Sequence, residues 1–216
     1  MRLKIESIQI GTVVTEGDTE DRDPLSRRWT SAFRKTPVQG AVHVQATGIA
    51  GDQVADTKNH GGPEKALLCY PGVHYLAWAQ EHPELNWGPG GFGENLVIAD
   101  GWTEADVCIG DRWIGEDCEL EISQPRQPCW KISRRWSTKT LTKEVAQTGR
   151  TGWYCRVIRE GELSAGKELD LGERPHPDWS VARVNDVLFG REVDRLAVHE
   201  LMNLSRLSQQ WKASLA

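Results

Sequence analysis

The sequence predicts a mainly β, barrel-like domain followed by a small helical unit. Three observations predict it. Short alternating stretches recur through residues 1–172, divided by Gly, Pro and Asp turns, as expected of closed antiparallel architectures. The glycine-rich segments do not have the form that opens a nucleotide-binding βα unit. Beyond Gly172-Glu-Arg-Pro-His-Pro177 the composition shifts, and only Gly190 interrupts a stretch with no further proline. These features divide the chain into a β domain over 1–172 and a three-helix unit over 176–216.

Taken in order, Lys4–Val13 alternates and reads as a strand with its even-numbered residues, Ile8 and Ile10, turned inward. Thr15–Arg28 is highly charged, contains Pro24 and reads as a surface loop. Ser31–Lys35 and Ala41–Val44 are short strand candidates, and glycines from Gly48 to Gly62 mark turns. Lys65–Tyr70 suits a strand or a helix start. Val73–His82 follows helical spacing, with Pro71 fitting a first turn. Four glycines and a proline in Gly88-Pro-Gly-Gly-Phe-Gly93 exclude a helix interior there. Val107–Ile109, Asp111–Ile114, Cys118–Ile122, Trp153–Arg159 and Lys167–Leu171 are further strand candidates, and Thr140–Gln147 a short helix ending at Gly149. In the tail, Val181, Val184, Val187 and Leu188 keep helical spacing. Leu196, Val198, Leu201 and Leu204 do so less regularly, and Leu207 leads on to Trp211. So small a unit packs on the barrel, with Trp179 and Trp211 as its anchors.

The chain has 216 residues, enough to bury a core without disulfides, and a formal net charge of -5, which argues against a general nucleic-acid coat. No apolar run reaches the roughly 18 residues a membrane span needs, and the N-terminus does not resemble a signal peptide. A cytoplasmic protein with no membrane and no nucleic-acid polymer as partner is the expectation. Five cysteines, with no CxxC pair, read mainly as reduced core thiols.

Cys129 stands apart, in the polar, turn-rich Ser123-Gln-Pro-Arg126-Gln-Pro-Cys129-Trp-Lys131. Between Glu121 and Glu144 there is no acidic residue, whereas Arg126, Lys131, Arg134, Arg135, Lys139 and Lys143 all fall there. Cations stabilise a thiolate and match phosphate; a solvated basic patch is the bland alternative. No histidine is signposted as a papain-like partner, and no HExxH or His/Cys cluster points to an all-protein metal site. An external cofactor needing one thiolate and several cations fits better.

Several segments, in order, resemble a MOSC domain, named after the C-terminal part of molybdenum-cofactor sulfurase. They are Gly48–Asp52, Lys58-Asn-His60-Gly-Gly-Pro-Glu-Lys-Ala66-Leu, Phe92-Gly-Glu94-Asn95-Leu96, Gly110-Asp111 and the Cys129 segment. The tail from His176 to Trp211 is similar to the three-helix appendage of the YiiM type. The resemblance implies a MOSC-type β-barrel with peripheral helices that binds molybdenum cofactor (molybdopterin). It further implies an oxidoreductase reducing small N-hydroxylated compounds of the hydroxylaminopurine or amidoxime kind. It makes Cys129 the protein ligand to molybdenum. Arg126 and Lys131, with Arg134 or Arg135, would converge on the cofactor phosphate. His60, Glu94 and Asn95 would reach the pterin or the substrate oxygen, His60 with a proton-transfer role. Electrons would come from a separate reductase or redox carrier, and a homodimer is left open. A non-catalytic carrier of cofactor or sulfur, and a thiol-dependent regulatory module, are the alternatives.

Overall fold

The computed structural model describes residues 1–99 and 101–214; the last two residues of the expected 176–216 unit lie outside them. The strands are β1 (Arg2–Ile10), β2 (Val14–Glu16), β3 (Trp29–Ser31), β4 (Thr36–Pro37), β5 (Ala41–Gln45), β6 (Gly48–Ile49) and β7 (Leu67–Pro71). They continue after helix α1 (Val73–Glu81) with β8 (Leu96–Ile98), β9 (Arg112–Ile114) and β10 (Glu119–Pro125). Helices α2 (Lys131–Arg135) and α3 (Leu141–Thr148) precede β11 (Trp153–Arg159), β12 (Gly161–Ser164) and β13 (Glu168–Glu173). The tail is α4 (Val181–Leu188), α5 (Arg195–Asn203) and α6 (Gln209–Ala213).

The main sheet runs β13-β9-β10-β11-β7-β8-β1-β4, and β13 also pairs with β1, so the barrel closes. The closing register places Leu3 opposite Leu169. Every pairing in this sheet is antiparallel except β7 with β8. A parallel pair needs a crossover, and α1 supplies it. The expected mainly β barrel with peripheral helices and a small helical tail is therefore what the chain forms.

Local departures have local causes. In β1 the buried residues are Leu3 and Ile5 and then Ile8 and Gln9, so the even-numbered rule fails in its first half. The register shifts between Ile5 and Ser7, and such a bulge moves side chains to the opposite face. The strand expected over Ser31–Lys35 ends at Ser31, whose Oγ accepts from Phe33 N at 3.0 Å and turns the chain. Pro71 closes β7, and Gly72 caps α1 instead. Val107–Ile109 forms no barrel strand. It pairs with the entry to the tail, Ile109 N donating to Trp179 O and Val181 N to Val107 O.

One apolar cluster joins barrel and tail. It includes Leu3, Ile5, Leu96, Leu120 and Trp153 from the barrel with Trp179, Val184, Leu201, Leu207 and Trp211 from the tail. Both tail tryptophans are buried. Because α4 packs on it, β10 is covered on both faces. A second, aromatic cluster lies between α1 and the Gly88–Gly93 loop, where the Tyr70 and Phe92 rings stack at 4.4 Å. No helix among the described residues is long and apolar enough to cross a membrane.

Gly110 sits at the seam with φ of 80°, and a Cβ there would stand 2.8 Å from Pro175 and 2.9 Å from Arg206. Gly110→Ala is expected to cost about 2 kcal/mol and lower Tm by about 5 °C for a chain of this size. Thermal unfolding of the two proteins checks it; equal Tm values would contradict the tight seam.

Candidate functional site

A cleft at one end of the barrel draws on many segments that are distant in sequence. It encloses about 710 Å³, open mouth included, within the range of small-molecule sites. One wall comes from the segment after β3, with Phe33 and Lys35. Another comes from the turns after β6, with Asp52, Asp56 and His60. Leu68, Asn95 and Tyr154 line the cleft too, as do Arg126, Cys129 and Lys131. The glycine turns permit this convergence: Gly93 has φ of 75° and passes 3.0 Å (as a Cβ would) from the Phe33 ring.

Cys129, Arg126, Lys131, His60 and Asn95 are thus brought together. Cys129 is half-buried, whereas the other four cysteines are buried in the core. Its carbonyl accepts from Ile132 N at 3.1 Å and Thr142 Oγ1 at 3.2 Å, which fixes the start of α2 and the backbone that carries the thiol. Arg126 is 3% exposed. Its Nη1 is buried and donates to no protein atom, and among the described residues no carboxylate pairs with it. The Phe33 ring lies 5.9 Å from the guanidinium carbon. Lys131 is 7% exposed and likewise has no ion-pair partner among the described residues.

Four cations, Lys35, Lys65, Arg126 and Lys131, face two carboxylates, Asp52 and Asp56, in this cleft. The imbalance shows in His60. Burial, then Lys131, Arg126 and Lys65, push its pKa down to about 4, so the imidazole is neutral at pH 7. It offers a lone pair and an N–H, and no ready proton of an imidazolium.

Four expected residues lie elsewhere or act differently. Glu94 does not line the cleft. It is buried, and its carboxylate accepts from Gly90 N at 2.5 Å, Phe92 N at 3.0 Å and Tyr75 OH, tying down the glycine loop. Burial and this carboxylate hold the Tyr75 phenol well above its usual pKa, so it remains the donor. Arg134 also lies outside. It stacks against Trp29 and Trp130 and donates to the carbonyls of Leu25 and Arg27. Arg135 packs its guanidinium 4.6 Å from the Trp136 ring. The convergence expected of these two arginines is not found; one helical turn carries them past the cleft. Asn95 lines it with its amide already spent. Nδ2 donates to Asp52 at 2.8 Å and Gln9 O at 3.3 Å, and Oδ1 accepts from Leu68 N at 3.2 Å.

Sequence reasoning missed the buried ion pair of Lys35 and Asp52 in the same cleft. Asp52 also accepts from Gly11 N at 2.7 Å. Burial lowers the Lys35 pKa, with Asp52 opposing. No spacing rule could announce a pair made by separate turns.

Among the described residues, no three His, Cys, Asp or Glu side chains are placed to hold a metal by themselves. A metal here would have to arrive with most of its donors and take one sulfur, from Cys129. That donor set, beside a buried guanidinium without a counter-ion, fits a phosphate-bearing molybdenum cofactor.

Residues 56–170 match the MOSC domain family, and residues 179–216 match the YiiM-like, 3-alpha helix domain. The Bacillus subtilis (strain 168) protein YflK, described as uncharacterized, is 38% identical over 186 residues, covering 85% of this chain and 82% of its own. A Gibberella moniliformis protein named "Reductase" is 40% identical over 167 residues, 76% of this chain but 29% of its own length. The crystal structure of YiiM from Geobacillus stearothermophilus superposes with a TM-score of 0.80 at 30% identity, covering 99% of this chain and 97% of that one.

His60 gives the cleft a pH signature. Its folded pKa lies below the unfolded value, so the unfolded chain takes up the proton first. Its contribution is intact above about pH 6.5 and is lost as pH falls toward about 4. His60→Gln should therefore lose less Tm than wild type between pH 7 and pH 4, and parallel Tm–pH curves would refute the assignment.

Proposed function

Because the chain belongs to the MOSC-domain family, in the YiiM type with a C-terminal three-helix domain, we propose that its cleft binds molybdenum cofactor and that the loaded protein reduces small N-hydroxylated compounds. The observation that supports this above all is Arg126, a buried guanidinium with an unused donor and no counter-ion among the described residues. A buried, unpaired charge is costly. A phosphate offsets that cost through charge-assisted, bidentate hydrogen bonds.

When bound, the cofactor supplies the two-electron redox chemistry. The chain supplies the rest. Arg126 and Lys131 hold and orient the phosphate, and the Phe33 ring limits the swing of the guanidinium. Cys129 offers its sulfur as the one protein donor. His60, neutral, hydrogen-bonds to pterin or substrate without adding charge. Lys35, fixed by Asp52, holds a proton at Nζ within the same cleft and is the candidate donor to the departing oxygen. The balance is an N–OH compound, two electrons and two protons in, an amine and a water out.

The electrons come from a separate reductase or redox carrier in the cytoplasm. The Gibberella protein supports this division, because the stretch this chain matches is under a third of a longer protein named a reductase.

The test is purification from cells that make molybdopterin, followed by metal and pterin analysis and reduction assays with an N-hydroxylated purine and an amidoxime. Wild type should carry molybdenum and pterin and turn over both with a reductant. Cofactor without turnover would make the protein a carrier, and neither would make it a thiol-dependent module. Cys129→Ser should fold, lose molybdenum and lose reduction; undiminished reduction would sink the mechanism.

Arg126→Met separates stability from binding. Relief of an unpaired buried charge should stabilise the ligand-free chain by about 1–3 kcal/mol while lowering pterin retention at least about tenfold. Denaturant unfolding and pterin fluorescence measure the two; a destabilised variant that keeps pterin would contradict the anion site.

A further inference from the structure

We propose that the C-terminal helices are a brace that sets the Arg126–Cys129 loop, with Trp211, Ser208 and Asn185 as its positioning residues. The inference rests on the anion-binding reading of that loop. The α6 region makes four hydrogen bonds to residues 123–127, on both sides of Arg126.

From α6, Trp211 Nε1 donates to Pro125 O at 3.2 Å. Ser208, which caps that helix, donates its hydroxyl to Gln124 Oε1 at 2.6 Å and its backbone N–H to Ser123 O at 3.0 Å. On the far side of Arg126, Gln127 Nε2 donates to Ser214 Oγ at 3.2 Å, and that hydroxyl donates to Trp211 O at 2.6 Å. The backbone N–H of Arg126 itself donates to Gly152 O at 3.1 Å. The same carbonyl accepts from the Thr151 hydroxyl at 2.9 Å, and that hydroxyl accepts from Asn185 Nδ2 of α4 at 2.9 Å. Pro125 is therefore tied to a tail helix directly, Gln127 through Ser214, and Arg126 through Gly152 and Thr151.

Apart from the exposed Gln127–Ser214 link, these ties are buried. Ser208 and Asn185 are 0% exposed and Trp211 1%. Apolar residues such as Val184, Leu201 and Leu207 already attach the tail to the barrel. Buried polar groups add a directional constraint that apolar contact cannot, because a hydrogen bond fixes distance and angle. Their target is the segment that must hold a guanidinium and a thiol in fixed relation. The buried tryptophans also leave Trp179 and Trp211 with no free face for a protein partner.

The experiment uses the full, ligand-free chain. Trp211→Phe removes the indole N–H and keeps an aromatic ring. Ser208→Ala removes the hydroxyl link and serves if the first variant does not fold. Ala197→Gly, buried on α5, weakens the same helical unit without touching the loop. Amide hydrogen exchange over residues 124–132 and inorganic phosphate affinity by calorimetry are the readouts. The brace variants should exchange about tenfold faster there and bind phosphate about tenfold more weakly. Ala197→Gly, at an equal or larger loss of Tm, should leave both at wild-type values. Wild-type phosphate affinity and exchange in the brace variants would overturn the brace, as would equal effects from Ala197→Gly. A wild-type chain that takes no phosphate would overturn the anion site itself, and this inference with it.

Discussion

A guanidinium buried without a counter-ion governs this molecule. Arg126 is enclosed by protein, and among the described residues nothing anionic answers it. A fold tolerates such a charge only where the rest of the structure over-determines its place. The barrel core and the aromatic cluster beneath the glycine loop provide that surplus. Lys131 and Lys65 deepen the positive potential, His60 loses its proton in it, and Cys129 opens into it.

Around that charge the carboxylates are assigned to building the walls. Glu94 accepts three donors from the glycine loop and its neighbour Tyr75. Asp52 is divided among Lys35, Asn95 and the Gly11 amide. Glu104 joins His74 at 2.7 Å and the Gly152 amide at 2.6 Å, so the carbonyl that receives Arg126 N–H belongs to an anchored residue. Negative charge is present near the cleft but committed to hydrogen bonds that shape it, which leaves Arg126 and Lys131 without a carboxylate partner among the described residues.

Much of this was legible in the sequence, for definite reasons. β11, β5 and the tail helices announce themselves through period-two and period-3.6 patterns and turn residues. The odd cysteine context and the run without acids led to Cys129, Arg126 and Lys131. What escaped was whatever depends on direction or on distant partners. Five residues of α2 show no hydrophobic period, and β12 is only four residues long. Charge density along the chain does not say which way Arg134 and Arg135 turn; tryptophan faces and loop carbonyls decided that. Glu94 and Asn95 are neighbours in the motif yet project to different sides of the loop. The bulge in β1 reverses an alternation that looks continuous in one dimension.

The closure of the barrel by its first and last strands sets an order of events in time. Leu3 meets Leu169 across nearly the whole β domain, so the hydrogen bonds that seal the ring are among the most sequence-distant that the chain makes. Such contacts are entropically expensive and come late in folding. β8 is synthesised some seventy residues ahead of β13, so β1 has a partner available on one edge well before the other. The charged residues Arg2, which ion-pairs with Glu168 and Asp170, and Lys4, which stands opposite Glu168, guard that edge against pairing with another nascent chain.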